Sequence, residues 1–293
     1  MSKTLFNNLP IEKKSSFIKK KFISKSFFQK KISNGKSSKK FSINKYSEIF
    51  RDEINRLLLD KRIIDKNYEL EKIHKYIGKS LKNYNFNNGV NKLSQLFYKN
   101  DIRFDNIYLS FIKHLSENFF KFPFYFQETP TIRLQCPGGS NSNHYPRYHN
   151  DIAYGHPFEE INIWLPLTYI NKIEKHAFRV MNLTETNRIV KSFNYNLDNL
   201  MKRTINESKI NFKYNKISPK VRTNFGEMFL FDSRCLHSAE PITIQTRVSI
   251  DIRIIPVSEY KSLNYKHQGT GKRKILFEPG KCYSRKIFSK KHS

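Results

Sequence analysis

Two histidines and a carboxylate stand where they could share one metal ion. His149 and Asp151 lie two residues apart in HYPRYHNDIAYGHPFEEINIWLPLT, residues 144–168, and His237 lies downstream in GEMFLFDSRCLHSAEPITIQTRVSIDIRIIP. In an extended segment, side chains at i and i+2 project from the same face. The imidazole and the carboxylate therefore converge, and Asn150 faces away. Two histidines and one carboxylate form the facial triad that holds non-haem Fe(II) and leaves positions open for oxygen and a co-substrate. An H-x-D triplet alone arises often by chance; a third ligand on a strand-flanked segment adds weight. Arg247 follows His237 by ten residues, on the next predicted strand. A guanidinium can grip the far end of a dicarboxylate co-substrate with two parallel bonds. Arg247, Ser249, Asp251 and Arg253 share one strand face, and the alternative for the two arginines is ordinary pairing with Asp251 or Glu227.

Strands must carry these residues. EINIWLPL reads as a core strand over 160–167, with further strands over 131–136, 177–183, 226–231 and 246–255. Before them, helical spacing marks a helix from Ser47, its possible N-cap, through Phe50, Ile54, Leu57 and Leu58. Others are predicted over 68–81 and 90–98, and a long one through Phe104, Ile107, Phe111, Leu115 and Phe119. Residues 140–147 read as a loop. Residues 185–220, polar and Asn-rich, read as an insertion with a short helix over 197–205, of the kind that forms a lid or substrate loop. Helices followed by many short strands give an α+β protein whose helices buttress a β-sandwich.

Around the metal pair, Tyr154 and His156 either line a pocket or bond the strand–loop junction. Asn162 and Trp164 share a face of the following strand; Asn162 could turn inward, and Trp164 is read as core. Arg133 and Arg147 could meet an anionic substrate, though such residues are more often surface arginines.

A chain of 293 residues, 38% hydrophobic, is long enough for one large domain with a proper core. No apolar run spans a bilayer, and no apolar leader segment opens the chain, so a cytoplasmic protein without a membrane span is expected. Cys136, Cys235 and Cys282 lie far apart and read as incidental thiols. The net charge of +29 is uneven: residues 1–45 hold 13 Lys against one Glu, and 259–293 hold ten Lys or Arg against two Glu. The termini are therefore read as a basic, disordered tail over 1–45 and a basic extension over 259–293, flanking a single domain over 46–258. Such tails can bind nucleic acid or anionic membrane; solvated ends are the favoured reading, because a basic run is compositional evidence only. The pattern sets no oligomeric state.

HNDIAYGHPFEEINIWLPLT and the downstream segment together resemble the Fe(II)/2-oxoglutarate oxygenases of the phytanoyl-CoA-dioxygenase-like superfamily. They look most like the branch named after streptomycin-biosynthesis oxygenases, whose phrases are close to H-x-D-x-x-Y-G-H, E-I-N-x-W-L-P-L-T and S/T-R-V-S-x-D-x-R. FEPGKCYS is similar to that branch's closing F-x-P-G-x-Y-Y, with Cys282 where an aromatic is usual. The likeness covers roughly 128–285. It implies a double-stranded β-helix, a jelly-roll or cupin-like barrel, with iron on His149, Asp151 and His237. It also implies 2-oxoglutarate and oxygen as co-substrates, with the distal carboxylate on Arg247, and Thr168 and more weakly Gln135 assisting. Tyr154, His156, Asn162, Arg147 and Arg253 remain candidates for the substrate pocket. SAEPITIQ lacks the asparagines usual after the second histidine, and the stretch after Thr168 is Lys-rich and diverged, so the substrate is less defined than the iron. Hydroxylation or desaturation of a small polar metabolite is the activity implied. The rival readings are a nucleic-acid oxygenase recruited by the basic termini, and a cupin-like binding protein without turnover.

Overall fold

The computed structural model describes residues 3–82, 84–85, 90–98, 101–137, 147–169, 178–239, 244–270 and 274–289. Its centre is an antiparallel sheet with strand order β1 (Ser38–Ser42), β6 (Glu227–Asp232), β4 (Ile161–Pro166) and β8 (Arg247–Pro256). The long β8 pairs its first half with β3 (Thr131–Gln135) and its last residues with β2 (Phe124–Phe126). A small antiparallel sheet joins β5 (Phe178–Val180) to β7 (His237–Ala239).

The alternation in β8 divides the core in two. Val248, Ile250, Ile252 and Ile254 join Ile161, Ile163, Leu165, Met228 and Leu230 in one cluster. That cluster packs against α3 (Asn44–Asp60) and α4 (Ile102–Asn118) through Phe50, Ile54, Leu57, Phe104, Tyr108, Phe111 and Leu115. These spacings repeat every three to four residues, which turns one apolar stripe toward the sheet. On the opposite face, Trp164, Phe229 and Phe231 pack with Phe178 of the small sheet, whose ring lies 4.8 Å from Trp164 and 5.7 Å from Phe231. Every residue of β4 is buried, because both of its faces are covered.

Several sequence expectations need correction. Residues 3–45 are not a disordered tail: α1 (Ile11–Ile23) and α2 (Phe27–Lys31) bury Ile18, Phe22 and Phe28, and β1 pairs with β6 along its length. The lysines sit on the outer faces of these helices, while Ile18 and Phe22 lie one turn apart and face inward, so charge content hid an amphipathic pattern. The described part of 259–293 folds back too, with the Ser284 N–H donating to the Phe126 carbonyl. Helix α3 begins at Asn44, which leaves Ser47 buried inside it rather than capping it. The helices expected over 68–81 and 90–98 are short turns, Leu70–Lys75, Lys79–Lys82, Lys92–Gln95 and Leu96–Tyr98.

The strand expected over 177–183 ends at Val180, and the polar insertion is three helices, α5 (Leu183–Ser192), α6 (Leu197–Asn206) and α7 (Ser208–Ile217). Its asparagines cap rather than break: the Asn182 and Asn196 side chains accept from the Glu185 and Asn199 N–H groups. The loop read over 140–147 lies outside the described residues except for Arg147. No described helix is long and apolar enough to cross a membrane.

Candidate metal centre

His149 and His237 face each other as a narrow antiparallel pair. The His149 N–H donates to the His237 carbonyl at 3.1 Å, and the His237 N–H returns the bond at 2.8 Å. Asn150, between the ligand candidates, is extended (φ −118°, ψ 158°), so His149 and Asp151 do share a face. Asp151 itself opens a short 3-10 turn, Asp151–Tyr154, rather than continuing a strand. The Asn150 side chain caps that turn by accepting from the Ala153 N–H. Gly155 closes the turn at φ +93°, where a Cβ would stand 1.9 Å from the Gln268 carbonyl oxygen, so no larger residue fits there.

The ligand atoms of His149, Asp151 and His237 lie within 4.8 Å of one another. His237 Nε2 is 3.8 Å from Asp151 Oδ1, and the two imidazole centroids are 4.3 Å apart. Each histidine is oriented the same way: Nδ1 of His149 donates to the Arg147 carbonyl at 2.8 Å and Nδ1 of His237 to the Cys235 carbonyl at 3.1 Å. A carbonyl only accepts, so Nδ1 carries the proton and Nε2 keeps its lone pair, the arrangement of a metal-bound imidazole. Asp151 Oδ2 accepts from Asn162 Nδ2 at 2.8 Å and from Arg253 Nε at 3.0 Å. Asn162 Oδ1 is buried with no hydrogen-bond partner, an acceptor left open beside the centre.

These residues fit a divalent cation. A ligand shell at about 2.1 Å per bond places neighbouring donors about 3 Å apart, so closing on the ion needs movements of about an ångström. The set suits Fe(II) with open positions.

The remaining candidates fall into two groups. At the start of β8, Arg247 lies directly across from Gln135 and donates to its side-chain oxygen through Nε at 2.8 Å and through a second guanidinium nitrogen. The buried Thr168 hydroxyl accepts from the Val248 N–H beside them. Arg253 lies six residues further on, about 20 Å along the strand, and pairs with Asp151 instead of joining Arg247. Neither alternative partner from the sequence holds these arginines; Asp251 pairs with Arg133 and Glu227 with Lys40.

His156 bonds Glu160 at 2.7 Å and packs on the Phe277 ring at 4.0 Å, at the junction of loop and strand. Tyr154, 41% exposed, sets its ring against His149 at the rim. Arg147 is half-buried and supplies the carbonyl that orients His149. Trp164 is core.

Sequence reading missed Glu160 and Tyr283. Buried Glu160 accepts from His156, from the Tyr283 hydroxyl, and lies 4.0 Å from Arg253 Nε. The paired glutamates of PFEEIN, directly before a core strand, were the available signal, since a carboxylate there needs buried partners. It also missed Arg234, 2% exposed in the turn before His237.

Burial pushes the His149 imidazole down to about 3, with neighbouring His237 adding to the shift. Burial also lowers His237, against the pull of Asp151, and brings His267, stacked on Phe6, to about 3. Unfolded, all three take a proton near 6.5. The unfolded chain therefore binds more protons below that value, and stability falls as the pH drops through 6.5 toward 3. In the metal-free protein the urea midpoint should fall between pH 7.5 and pH 5, each histidine adding a slope of at most about 1.4 kcal/mol per pH unit. A flat midpoint over this range would contradict neutral, buried imidazoles.

No protein-family model matches the sequence, and no curated protein matches it. Solved structures of similar shape include HygX from Streptomyces hygroscopicus with nickel and 2-oxoglutarate bound, at 13% identity over 80% of this chain and 88% of that chain, TM-score 0.44. SnoK, a non-haem alpha-ketoglutarate-dependent carbocyclase from nogalamycin biosynthesis, is similar at 12% identity over 93% and 91% of the two chains, TM-score 0.40. A nickel complex of the non-haem monooxygenase ThoJ is similar at 13% identity over 75% and 74%, TM-score 0.38.

Proposed function

We propose that this chain is an Fe(II)- and 2-oxoglutarate-dependent oxygenase that hydroxylates or desaturates a small polar metabolite. The observation that carries the reading is the convergence of two Nε2 lone pairs and one carboxylate oxygen within 4.8 Å, each imidazole tied through Nδ1 to the carbonyl two residues before it. The main sheet faced by the small β5–β7 sheet supports a double-stranded β-helix for the frame. Bound Fe(II) would supply oxygen activation, with 2-oxoglutarate giving two electrons and leaving as succinate and carbon dioxide while one oxygen atom goes to a hydroxylated substrate.

This chain's residues do the rest. His149, Asp151 and His237 would hold the ion and leave positions open for co-substrate and oxygen. Arg247, held by Gln135, would exchange that amide for the distal carboxylate of 2-oxoglutarate, and Thr168 would add a hydroxyl donor. With Asp151 as the third ligand, no position would be vacated for a halide, so hydroxylation or desaturation is preferred to halogenation. The apolar rings of Phe178 and Phe231, both set against the His237 imidazole, keep the floor dry.

Anaerobic titration with Fe(II) and then 2-oxoglutarate tests this. The wild type should develop a weak violet charge-transfer band. His237→Ala should abolish it, and Arg247→Ala should weaken 2-oxoglutarate binding about 10- to 100-fold, as expected for charged hydrogen bonds. A folded wild type without the band sinks the reading.

A further inference from the structure

Two side chains on adjacent strands reach the same oxygen of Asp151. Asn162 of β4 and Arg253 of β8 are direct cross-strand partners. Both project from the face that carries the centre, and both donate to Oδ2, at 2.8 and 3.0 Å. The other oxygen, Oδ1, is the one 3.8 Å from His237 Nε2. Arg253 is held further by Glu160, whose Oε2 lies 4.0 Å from its Nε, and by the Gln127 side-chain oxygen, 3.5 Å from a terminal guanidinium nitrogen. Glu160 is fixed in turn by His156 and the Tyr283 hydroxyl. A guanidinium set between two buried carboxylates has one low-energy placement, and Asn162 reinforces it from the neighbouring strand. A carboxylate with both oxygens free can bind an ion through one or both; with Oδ2 twice occupied, only Oδ1 is offered.

We propose that the Asn162–Arg253 pair is a positioning device that holds Asp151 as a one-oxygen ligand and so keeps the remaining coordination positions for co-substrate and oxygen. This rests on the functional reading above. It assigns Arg253 to the ligand carboxylate rather than to the substrate, and it extends the centre through Glu160 to Tyr283, 123 positions along the chain from Glu160. Neither residue touches the reacting atoms in this role; both act through Asp151.

The test is anaerobic titration of the full-length protein with Co(II) alone, following the visible ligand-field bands, with circular dichroism to verify folding. Asn162→Ala and Arg253→Met should each weaken Co(II) about 10- to 100-fold, the range for residues that orient a metal ligand, and should shift the bands as Asp151 changes its binding mode. Arg253→Lys keeps a charged donor and should recover most of the affinity and the wild-type bands. Trp164→Phe, on the same face of β4 but in the core, should stay within about twofold of the wild type. Wild-type affinity and bands in folded Asn162→Ala and Arg253→Met would overturn the proposal, as would an equal loss in Trp164→Phe. If Arg253→Met does not fold, Asn162→Ala, which removes only a neutral amide, decides by the same criteria. A folded wild type that binds no Co(II) overturns the functional reading itself, whereas a binding wild type matched by its variants overturns this inference alone.

Discussion

Arg234→Met should destabilise the metal-free protein by about 3–5 kcal/mol, the usual loss when one member of a buried ion pair is removed. Arg234 and Asp232 are 2% and 1% exposed. The guanidinium pairs with Asp232 through Nε and a terminal nitrogen, both at 2.8 Å, and the Arg234 backbone N–H donates to the same carboxylate. Its remaining donors reach the N-terminal arm: the Lys21 carbonyl, the Ser24 carbonyl at 2.9 Å and the Gln29 side-chain oxygen at 3.1 Å. Ser26 donates to Asp232 from the same arm. Methionine fills much of the volume but leaves Asp232 charged, with only Ser26 Oγ–H and the Arg234-position N–H to satisfy it. The loss reaches the metal centre as well, because the turn that Arg234 braces leads directly to the Cys235 carbonyl that orients His237. Urea unfolding measures the first effect and Fe(II) titration the second, where weaker binding is expected. Replacing both residues, Asp232→Leu with Arg234→Met, should recover part of the stability, since an apolar pair leaves no buried charge. A loss below about 1 kcal/mol in Arg234→Met would mean that the arm is not anchored there in solution.

The parts of the molecule legible in the sequence are those whose signals are local. His149 and Asp151 were legible because an extended i, i+2 pair must share a face, and β4 and β8 because one is apolar except for Asn162 and the other alternates. Helix α4 was legible from its Phe and Leu stripe. Where the reading failed, a second pattern lay under a stronger composition. The lysines of residues 3–45 concealed Phe6, Ile18, Phe22 and Phe28, and the asparagines of 182–206 looked like loop residues although two of them cap helices. Arg253 had no local partner, and Glu160 and Arg234 had only one each, His156 four positions and Asp232 two positions away. Tyr283 meets Glu160 across 123 positions, and Arg234 meets Gln29 across 205. Only the folded strand register brings such groups together, so a buried charge in the sequence states that a partner exists without saying where.

Asp151→Ala should weaken Fe(II) binding more than about 100-fold, beyond the 10- to 100-fold range for residues that merely support a ligand. It should also destabilise the metal-free protein by about 3 kcal/mol, because the change leaves the Arg253 guanidinium with Glu160 at 4.0 Å and the Gln127 amide oxygen at 3.5 Å. Asp151→Asn separates the two effects. The amide preserves the shape, and its one acceptor oxygen, placed where Oδ2 stands, can still meet both Asn162 and Arg253, but the amide nitrogen then faces the ion. The asparagine variant should therefore lose metal nearly as fully as the alanine variant while keeping more of the stability. The pH dependence has a definite sign. Burial alone would raise the Asp151 carboxyl, but Arg253, and then His237 and His156, outweigh it and hold the carboxyl well below its usual range. A carboxylate depressed in the folded state adds stability that is fully present above the unfolded value near 3.9 and is lost as the pH falls through the folded value. The stability gap between wild type and Asp151→Ala should accordingly persist from neutral pH downward and close only below about pH 4; without Asp151 the folded His149 and His237 lose the pull that raises them, so the histidines widen the gap slightly below pH 6.5 rather than closing it. A gap that already closes between pH 7 and pH 5 would mean that Arg253 does not hold this carboxylate. Equal stability of the alanine and asparagine variants would mean that the charge of Asp151, rather than its hydrogen-bonding shape, is what the two central strands are built around.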